Sequence, residues 1–290
     1  MSQPPAQAVA PAGSRWSRAL ATYGKARIAS MFALGFSAGL PFLLVFSTLT
    51  AWLTEAGVTR GAIGFFTWVG ITYSIKVFWA PVVDRVPLPL LGRLLGQRRS
   101  WILLAQLVIV AGLAGMALTD PMVDLARLAL FALLVAFGSA TQDIAIDAWR
   151  IEAAPPAEQA AMSATYVFGY RMALLAAGAG ALHMAARMDW SQVYLAMAAL
   201  MGVGVLATLL SREPRVQRRT DVALLEPGAQ AFYRRNAHLP APLRTAIAWL
   251  IGAVVYPFVD FFKRYGAHSL AVLLLVGTFR ISDISMGAMA

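Results

Sequence analysis

The stretch Leu128–Trp149, LALFALLVAFGSATQDIAIDAW, decides the fold class of this chain. It is long enough to cross a bilayer as a helix, since about 20 apolar residues span a hydrocarbon core of about 30 Å. It nevertheless carries Asp143 and Asp147, and Arg150 follows directly. Residues three and four positions apart share one face of a helix. Because an ionised side chain in mid-bilayer costs roughly 2.5–3.5 kcal/mol, we expect this face to line a protein interior or a watery cavity.

The composition of the whole chain agrees with a membrane protein. Of the 290 residues 59% are hydrophobic and 13% are charged, and the mean hydropathy is +0.67. A soluble domain contains about 25% charged residues, so we predict an all-α integral membrane protein. The net charge of +10 would suggest a nucleic-acid partner in a soluble protein, but here we expect none. The absence of cysteine and the spacing of the three histidines predict neither a metal nor a cofactor.

Six apolar runs of spanning length lie within residues 28–210, which we predict to form a six-helix bundle. The connections after the first, third and fifth runs contain only Arg60, Arg127 and Arg187 as cations, whereas the other connections are strongly basic. Cytoplasmic loops carry the excess of Lys and Arg, so we expect a cytoplasmic N-terminus. The six runs are Ile28–Leu53, Gly61–Val83, Trp101–Leu118, Leu128–Trp149, Ala160–Leu182 and Trp190–Leu210.

The flanking segments are predicted to be cytoplasmic, apart from the last. Residues 1–27 read as a disordered lead, residues 211–243 as a polar, Arg-rich linker, and residues 267–290 as an incomplete seventh span. Residues 244–266 contain an apolar run with Pro257 and Asp260 inside it and basic residues on both sides. Crossing the bilayer would translocate one basic cluster, so we predict a helix lying at the membrane interface.

The loop between the second and third spans resembles, with a longer spacer, the D-R-x-G-R-R signature of the major facilitator superfamily. An aspartate tied to arginines and to a helix N-terminus forms a charge latch that can close the cytoplasmic side. Asp147 and Arg150, near the same boundary, are candidates for this latch. The alternative is that the arginines anchor to anionic lipid headgroups. The loop residues in question are Asp84, Arg85, Gly92, Arg93, Gly96, Arg98 and Arg99.

Five blocks of sequence resemble, in order, the AmpG family of muropeptide permeases within that superfamily. They are GFSAGLPFLLVFSTLTAWL (Gly35–Leu53), KVFWAPVVDR (Lys76–Arg85), SATQDIAIDAWR (Ser139–Arg150), GYRMALL (Gly169–Leu175) and VVYPFVDFFKR (Val254–Arg264). The resemblance implies a permease of the bacterial inner membrane that imports anhydromuropeptides with the proton gradient. Proteins similar to acetyl-CoA transporters share the TQD-containing block, so another anionic substrate, such as a nucleotide-linked acyl compound, is the alternative. The resemblance carries family positions onto Lys76, Gln142, Asp143, Asp147, Arg171 and Asp283.

The depth of the charged residues supports a shared site. At about 1.5 Å per residue, Lys76 lies roughly 12 Å above Asp84, Asp143 roughly 10 Å above Arg150, and Arg171 roughly 16 Å above the start of the fifth span. We therefore expect Lys76 and Arg171 to bind carboxylates of a glycopeptide substrate and Asp143 to carry the coupling proton. Gln142 is expected to donate to sugar hydroxyls, and Tyr170 to stack on a sugar ring. The alternative is that these charges form static ion pairs.

The sequence departs from the AmpG pattern at its end, since it stops at Ala290 within the seventh span. Arg280 and Asp283 are expected to line the cavity on the side of a second bundle, and we expect transport to require that missing C-terminal half. Two other classes stay open: a membrane enzyme that uses Asp143 and Asp147 as acid and base, and a membrane scaffold. An enzyme is not expected, because these aspartates have no metal ligand or nucleophile at a suitable spacing.

Overall fold

The computed structural model describes residues 22–214, 227–266, 268–275 and 278, and within these ranges it is helical with no strand. The expected all-α membrane fold is confirmed. Residues 268–275 are also helical. The first six numbered helices are α1 Ala26–Glu55, α2 Arg60–Phe78, α3 Ala80–Arg85, α4 Leu91–Leu95, α5 Gln97–Ala117 and α6 Leu125–Ala153. Helix α7 begins as Pro156–Leu175 and continues through a π-turn at Ala176–Gly180 into Ala181–Ala185. The last four are α8 Trp190–Leu210, α9 Pro227–Arg235, α10 Ala241–Leu250 and, after a π-turn at Ile251–Val255, α11 Tyr256–Tyr265.

Five of the described helices are long and apolar enough to cross a membrane, namely α1, α2, α5, α6 and α8. The fifth predicted span also forms a helix, α7, which is less apolar because Tyr166, Tyr170 and Arg171 lie in its middle. The predicted lead and seventh span lie largely outside the described residues. The predicted linker contains α9, and the predicted interfacial segment contains α10 and α11.

Helix α1 packs closely along α7 because glycines face each other across the contact. A side chain at Gly35 would collide with the carbonyl oxygen of Tyr166, and one at Gly169 would collide with the carbonyl oxygen of Phe32. Small residues let helix backbones approach in this way. This close contact places the middle of α7 beside the middle of α1.

Helix α1 is interrupted at Phe46, whose backbone leaves the helical region at φ −119° and ψ −105°. Pro41 lies inside the preceding segment and removes one helical hydrogen bond, because proline has no backbone N–H. The helix resumes at Ser47. The Phe46 ring lies 6.1 Å from the Tyr73 ring of α2, so the interruption faces α2.

The interior contains two buried apolar clusters. One surrounds Leu44 and Tyr194, with the Tyr194 hydroxyl donating to the Leu44 carbonyl at 2.8 Å. The other surrounds Ile28 and Trp149 at the end of the bundle where α5 begins and α6 ends. We call this second end the basic end, because the arginine-rich loops meet there. The two clusters fix the helices that position the charged residues.

Candidate functional site

Lys76 and Asp143, on two different membrane-spanning helices, form an ion pair. Lys76 lies in the short 3-10 segment that ends α2, and Asp143 lies in α6. The Lys76 Nζ is 3.4 Å from Asp143 Oδ2, and the two side chains are 29% and 19% exposed. Of the three charges expected at one level, this contact brings two together, Lys76 and Asp143. A contact of 3.4 Å between partly exposed side chains leaves both groups within reach of a further ligand.

An aromatic residue connects the two segments that carry the ion pair. Three residues after Lys76, Trp79 donates its indole N–H to Thr141 Oγ1 at 3.1 Å, and its ring lies 5.0 Å from Phe137. Thr141 lies two residues before Asp143 on α6, so Trp79 ties the end of α2 to the part of α6 that carries Asp143.

Gln142 does not lie with Asp143 in this site. Its side chain is fully buried, and its amide nitrogen donates to Ser37 Oγ of α1 at 2.9 Å. Ser37 also accepts from Gln106 of α5 at 3.3 Å, and Gln106 accepts from Thr208 of α8 at 3.0 Å. Adjacent residues point about 100° apart around a helix, so Gln142 faces the bundle interior while Asp143 faces Lys76. In this structure it joins four helices instead of presenting its amide to a ligand.

Arg171 is exposed on α7, and no ion pair links it to a carboxylate in the described ranges. The neighbouring face of α7, with Gly169 and Ala173, is buried against α1. Tyr170 is half-buried, with its ring 6.3 Å from that of Tyr166. The structure therefore brings Lys76 and Asp143 together but leaves Arg171 outside the pair.

The basic end is organised around Arg98, in the first turn of α5. Its guanidinium contacts Asp84 Oδ1 at 2.7 Å and Glu152 Oε1 at 2.7 Å, and its side chain is only 7% exposed. Gln97 supports the arrangement by donating to the Asp84 carbonyl at 2.6 Å. Asp84 and Arg98 were predicted latch residues, whereas Glu152 was not. Its only sequence signal is its position as the last acid of the charged stretch that ends α6.

Glu213, directly after α8, is a second acid that the sequence reasoning missed. Its two carboxylate oxygens accept the backbone N–H groups of Arg98 and Arg99 at 2.8 and 3.1 Å. These donors belong to the first turn of α5, where the helix has unpaired N–H groups and a positive dipole end. The Arg99 side chain also donates to the carbonyls of Thr208 and Leu209. Backbone and side-chain donors at the start of α5 thus bind acceptors in and just after the last turn of α8.

The remaining predicted latch residues do not join the Arg98 cluster. Asp147 pairs with Arg150 at 3.2 Å on α6, and Arg150 also contacts the Ser163 hydroxyl of α7. Arg85 donates to the Gly252 carbonyl at 3.3 Å, and Arg93 is exposed. Asp147 and Arg150 therefore link α6 to α7, separately from Asp84.

A third charged cluster was not predicted. Glu158, in the first turn of α7, accepts from Lys25 at 2.6 Å and lies 2.7 Å from Arg27, at the start of α1. The hydrogen bonds from Lys25 and Arg27 hold the pKa of the Glu158 carboxyl below its ordinary value. This clasp joins the basic ends of α1 and α7.

Two predicted residues, Arg280 and Asp283, lie outside the described residues. Within the described part of the chain, no three His, Asp or Glu side chains cluster in a way that could hold a metal ion.

Comparison with known proteins identifies the family of the chain. The model of the family described as acetyl-coenzyme A transporter 1 matches residues 28–202. The chain belongs to this transporter family. It is therefore a multi-pass membrane protein, with its Lys76–Asp143 pair and Arg98 cluster inside the matched region.

Two relatives extend the comparison beyond the family match. The chain is 37% identical over 268 residues to an anhydromuropeptide permease of Escherichia coli (strain K12), covering 92% of this chain and 48% of that protein. It is 34% identical over 266 residues to a putative transporter AmpG 4 of Rickettsia felis, covering 91% of this chain and 58% of that protein. The predicted resemblance to AmpG permeases is confirmed. The chain spans about half the length of these relatives.

Proposed function

We propose that this chain forms one helical bundle of a proton-coupled permease that imports anhydromuropeptides across the bacterial inner membrane. The observation that carries the proposal is the half-buried Lys76–Asp143 pair between α2 and α6. Charges kept at this depth mark substrate or proton pathways in membrane proteins. The similarity to an anhydromuropeptide permease supports this substrate class.

The proposed mechanism uses the ion pair as an exchange site. In the empty state Lys76 and Asp143 neutralise each other at 3.4 Å. A substrate carboxylate competes for Lys76, so the positive charge beside Asp143 is drawn away from it. Loss of a neighbouring cation favours the neutral form of a carboxyl group, so Asp143 takes up a proton. Substrate binding and protonation are coupled because each favours the other.

Arg171 and Tyr170 are proposed to contact the substrate from α7. Arg171 is exposed, so a second carboxylate of the substrate can reach its guanidinium. Tyr170 presents an aromatic ring with a hydroxyl, which suits the apolar face and hydroxyl groups of a sugar.

The Arg98 cluster is proposed to brace the basic end. The cluster joins α3, α5 and α6 of one bundle, because Arg98 of α5 holds Asp84 of α3 and Glu152 of α6 at 2.7 Å each. Such a brace lets the bundle rock as one body during alternating access, which requires a second bundle on the other side of the substrate. Because the relatives extend over about twice this length, we propose that transport by the chain needs such a bundle. The basic end faces the cytoplasm in this proposal, in agreement with the positive-inside tendency.

The family description favours a second candidate, a permease for a nucleotide-linked acyl compound. Its phosphates would bind Lys76 and Arg171 in place of carboxylates, since both cations recognise either anion. Competition between the two substrate classes for uptake distinguishes them.

The test is uptake into sealed membrane vesicles under an imposed proton gradient. The chain is co-expressed with the remaining part of the Escherichia coli relative, and radiolabelled anhydromuropeptide is followed. We expect accumulation of unmodified substrate, its loss in Asp143→Asn, and normal uptake in the control Asp189→Asn, which changes an exposed acid at the opposite end. A chemically modified product would indicate an enzyme instead. Normal uptake by Asp143→Asn would overturn the proposed mechanism.

A further inference from the structure

The three helices α9, α10 and α11 form a unit attached to the basic end. Ala229 of α9 is fully buried, and Gly228 packs beside the ring of Tyr256 at the start of α11. The unit touches the bundle where Arg85, next to Asp84 of the Arg98 cluster, donates to the Gly252 carbonyl at 3.3 Å. It is therefore fixed near the level where the spanning helices end.

One face of α11 is apolar and exposed. Val259 and Phe262 are 37% and 46% exposed and three positions apart, which places them on one stripe of the helix, and Val255, the last residue of the preceding π-turn, is 49% exposed. On α10, Leu243 and Leu250 are seven positions apart and are each 49% exposed. Exposed apolar residues on neighbouring helices form a surface that water does not favour.

Polar residues flank this stripe on both sides. Taking about 100° per residue within α11, Lys263 lies about 40° beyond Val259 on one side of the stripe and Tyr265 about 60° beyond Phe262 on the other. Both side chains are exposed. Arg264 lies on the opposite face, where it pairs with Asp260 at 3.0 Å. Lys263, beside the stripe, is thus not neutralised by this pair, whereas Arg264, opposite the stripe, is neutralised by Asp260.

We propose that this face of α11 binds the anionic phospholipids of the leaflet at the basic end. The stripe of Val259 and Phe262 lies among the upper acyl chains, Lys263 reaches a headgroup phosphate, and Tyr265 lies at headgroup level. Arg234 and Arg235, exposed at the end of α9, add positive charge to the same unit. Charge complementarity favours an anionic lipid over a zwitterionic one. Through Arg85 and Gly252, bound lipid would also hold the loop that carries Asp84.

The first experiment measures lipid selectivity directly. The full 290-residue chain is purified in detergent and titrated with phosphatidylglycerol or phosphatidylcholine, and bound lipids are counted by native mass spectrometry. We expect tighter binding of phosphatidylglycerol, about a fivefold loss in Lys263→Gln, and a further loss in Arg234→Gln/Arg235→Gln at low salt. Arg60→Gln removes one exposed cation at the other end and should change nothing. Equal binding of the two lipids by the unsubstituted chain would overturn the proposal.

The second experiment tests the orientation of the helix and exploits the absence of cysteine from the chain. Phe262→Cys and Arg264→Cys are labelled separately with an environment-sensitive dye, in nanodiscs containing phosphatidylglycerol. Because these positions point about 200° apart, we expect the dye at 262 to resist quenching by aqueous iodide and the dye at 264 to be quenched. Protection of both dyes would indicate a crossing helix or a protein cover. Quenching of both would show that no lipid contacts the stripe, and either result contradicts the proposal.

Discussion

The Lys76–Asp143 pair and the Arg98 cluster both bury opposite charges, but they do so in different ways. In the first, Lys76 Nζ lies 3.4 Å from Asp143 Oδ2, and the two side chains are 29% and 19% exposed. The second places two carboxylates 2.7 Å from a guanidinium that is 7% exposed, with Glu152 engaged through both of its oxygens. A long contact between partly exposed groups can be exchanged for a substrate group. Short multidentate contacts keep their partners in place. Distance and exposure therefore distinguish the proposed exchange site from the proposed brace.

The largest effect is expected from Arg98→Met, which removes the centre of the brace. Glu152 stays largely buried without its cation, and breaking a buried pair in this way costs about 3–5 kcal/mol. We expect a marked fall in the melting temperature of the detergent-purified chain. Arg93→Met, which removes an exposed arginine of the same loop, is the matched control and should melt as the unsubstituted chain does. Equal melting of the two variants would show that the cluster is no brace.

A smaller effect is expected from Glu213→Ala, which tests whether the brace extends to the end of α8. The substitution leaves the first N–H groups of α5 without their acceptor, and loss of a helix cap costs about 0.5–2 kcal/mol. Amide exchange at Arg98 and Arg99 should become faster, while exchange in the middle of α5 stays slow. Unchanged protection of these two amides would remove Glu213 from the brace.

A still smaller change in melting temperature is expected when acid protonates Glu158 and breaks its contacts with Lys25 and Arg27. Lys25 and Arg27 lower the pKa of Glu158 below its ordinary value of 4.5. The clasp therefore contributes its full stability above about pH 4.5 and loses it as the pH falls through the lowered pKa. The melting temperature of the unsubstituted chain should fall over this acid range more steeply than that of Glu158→Gln. Parallel pH profiles would mean that the carboxylate is not held by the two cations.

The sequence predicts the contact between Lys76 and Asp143 better than the contacts that join the helix ends, and the reason is geometric. Helix spacing and depth along a span place Lys76 and Asp143 at one level before any coordinates are known. The contacts of Glu152, Glu158 and Glu213 join the ends of helices that are far apart in the chain, and no local spacing signals them. Such contacts depend on which helices are neighbours, as in the case of Glu158 with Lys25 and Arg27.

Gln142 shows a second limit of sequence reasoning. It directly precedes Asp143, so its chemistry suggested a shared role in substrate binding. The helix turns about 100° between them, and the amide reaches Ser37 inside the bundle. Adjacency in a helix therefore argues against a common site, whereas a spacing of three or four argues for one.

The smallest effect on stability, and the largest on transport, is expected from Lys76→Met. The pair is partly exposed and its contact is long, so its contribution to the free energy of unfolding should stay below about 1 kcal/mol. If Lys76 exchanges Asp143 for a substrate carboxylate, Lys76→Met should nevertheless abolish muropeptide uptake in the vesicle assay. The melting temperature should stay nearly unchanged. Lys76→Arg keeps the charge and should retain part of the uptake. A large fall in melting temperature for Lys76→Met would instead assign the pair to the brace, and the contrast between the two clusters would then be lost.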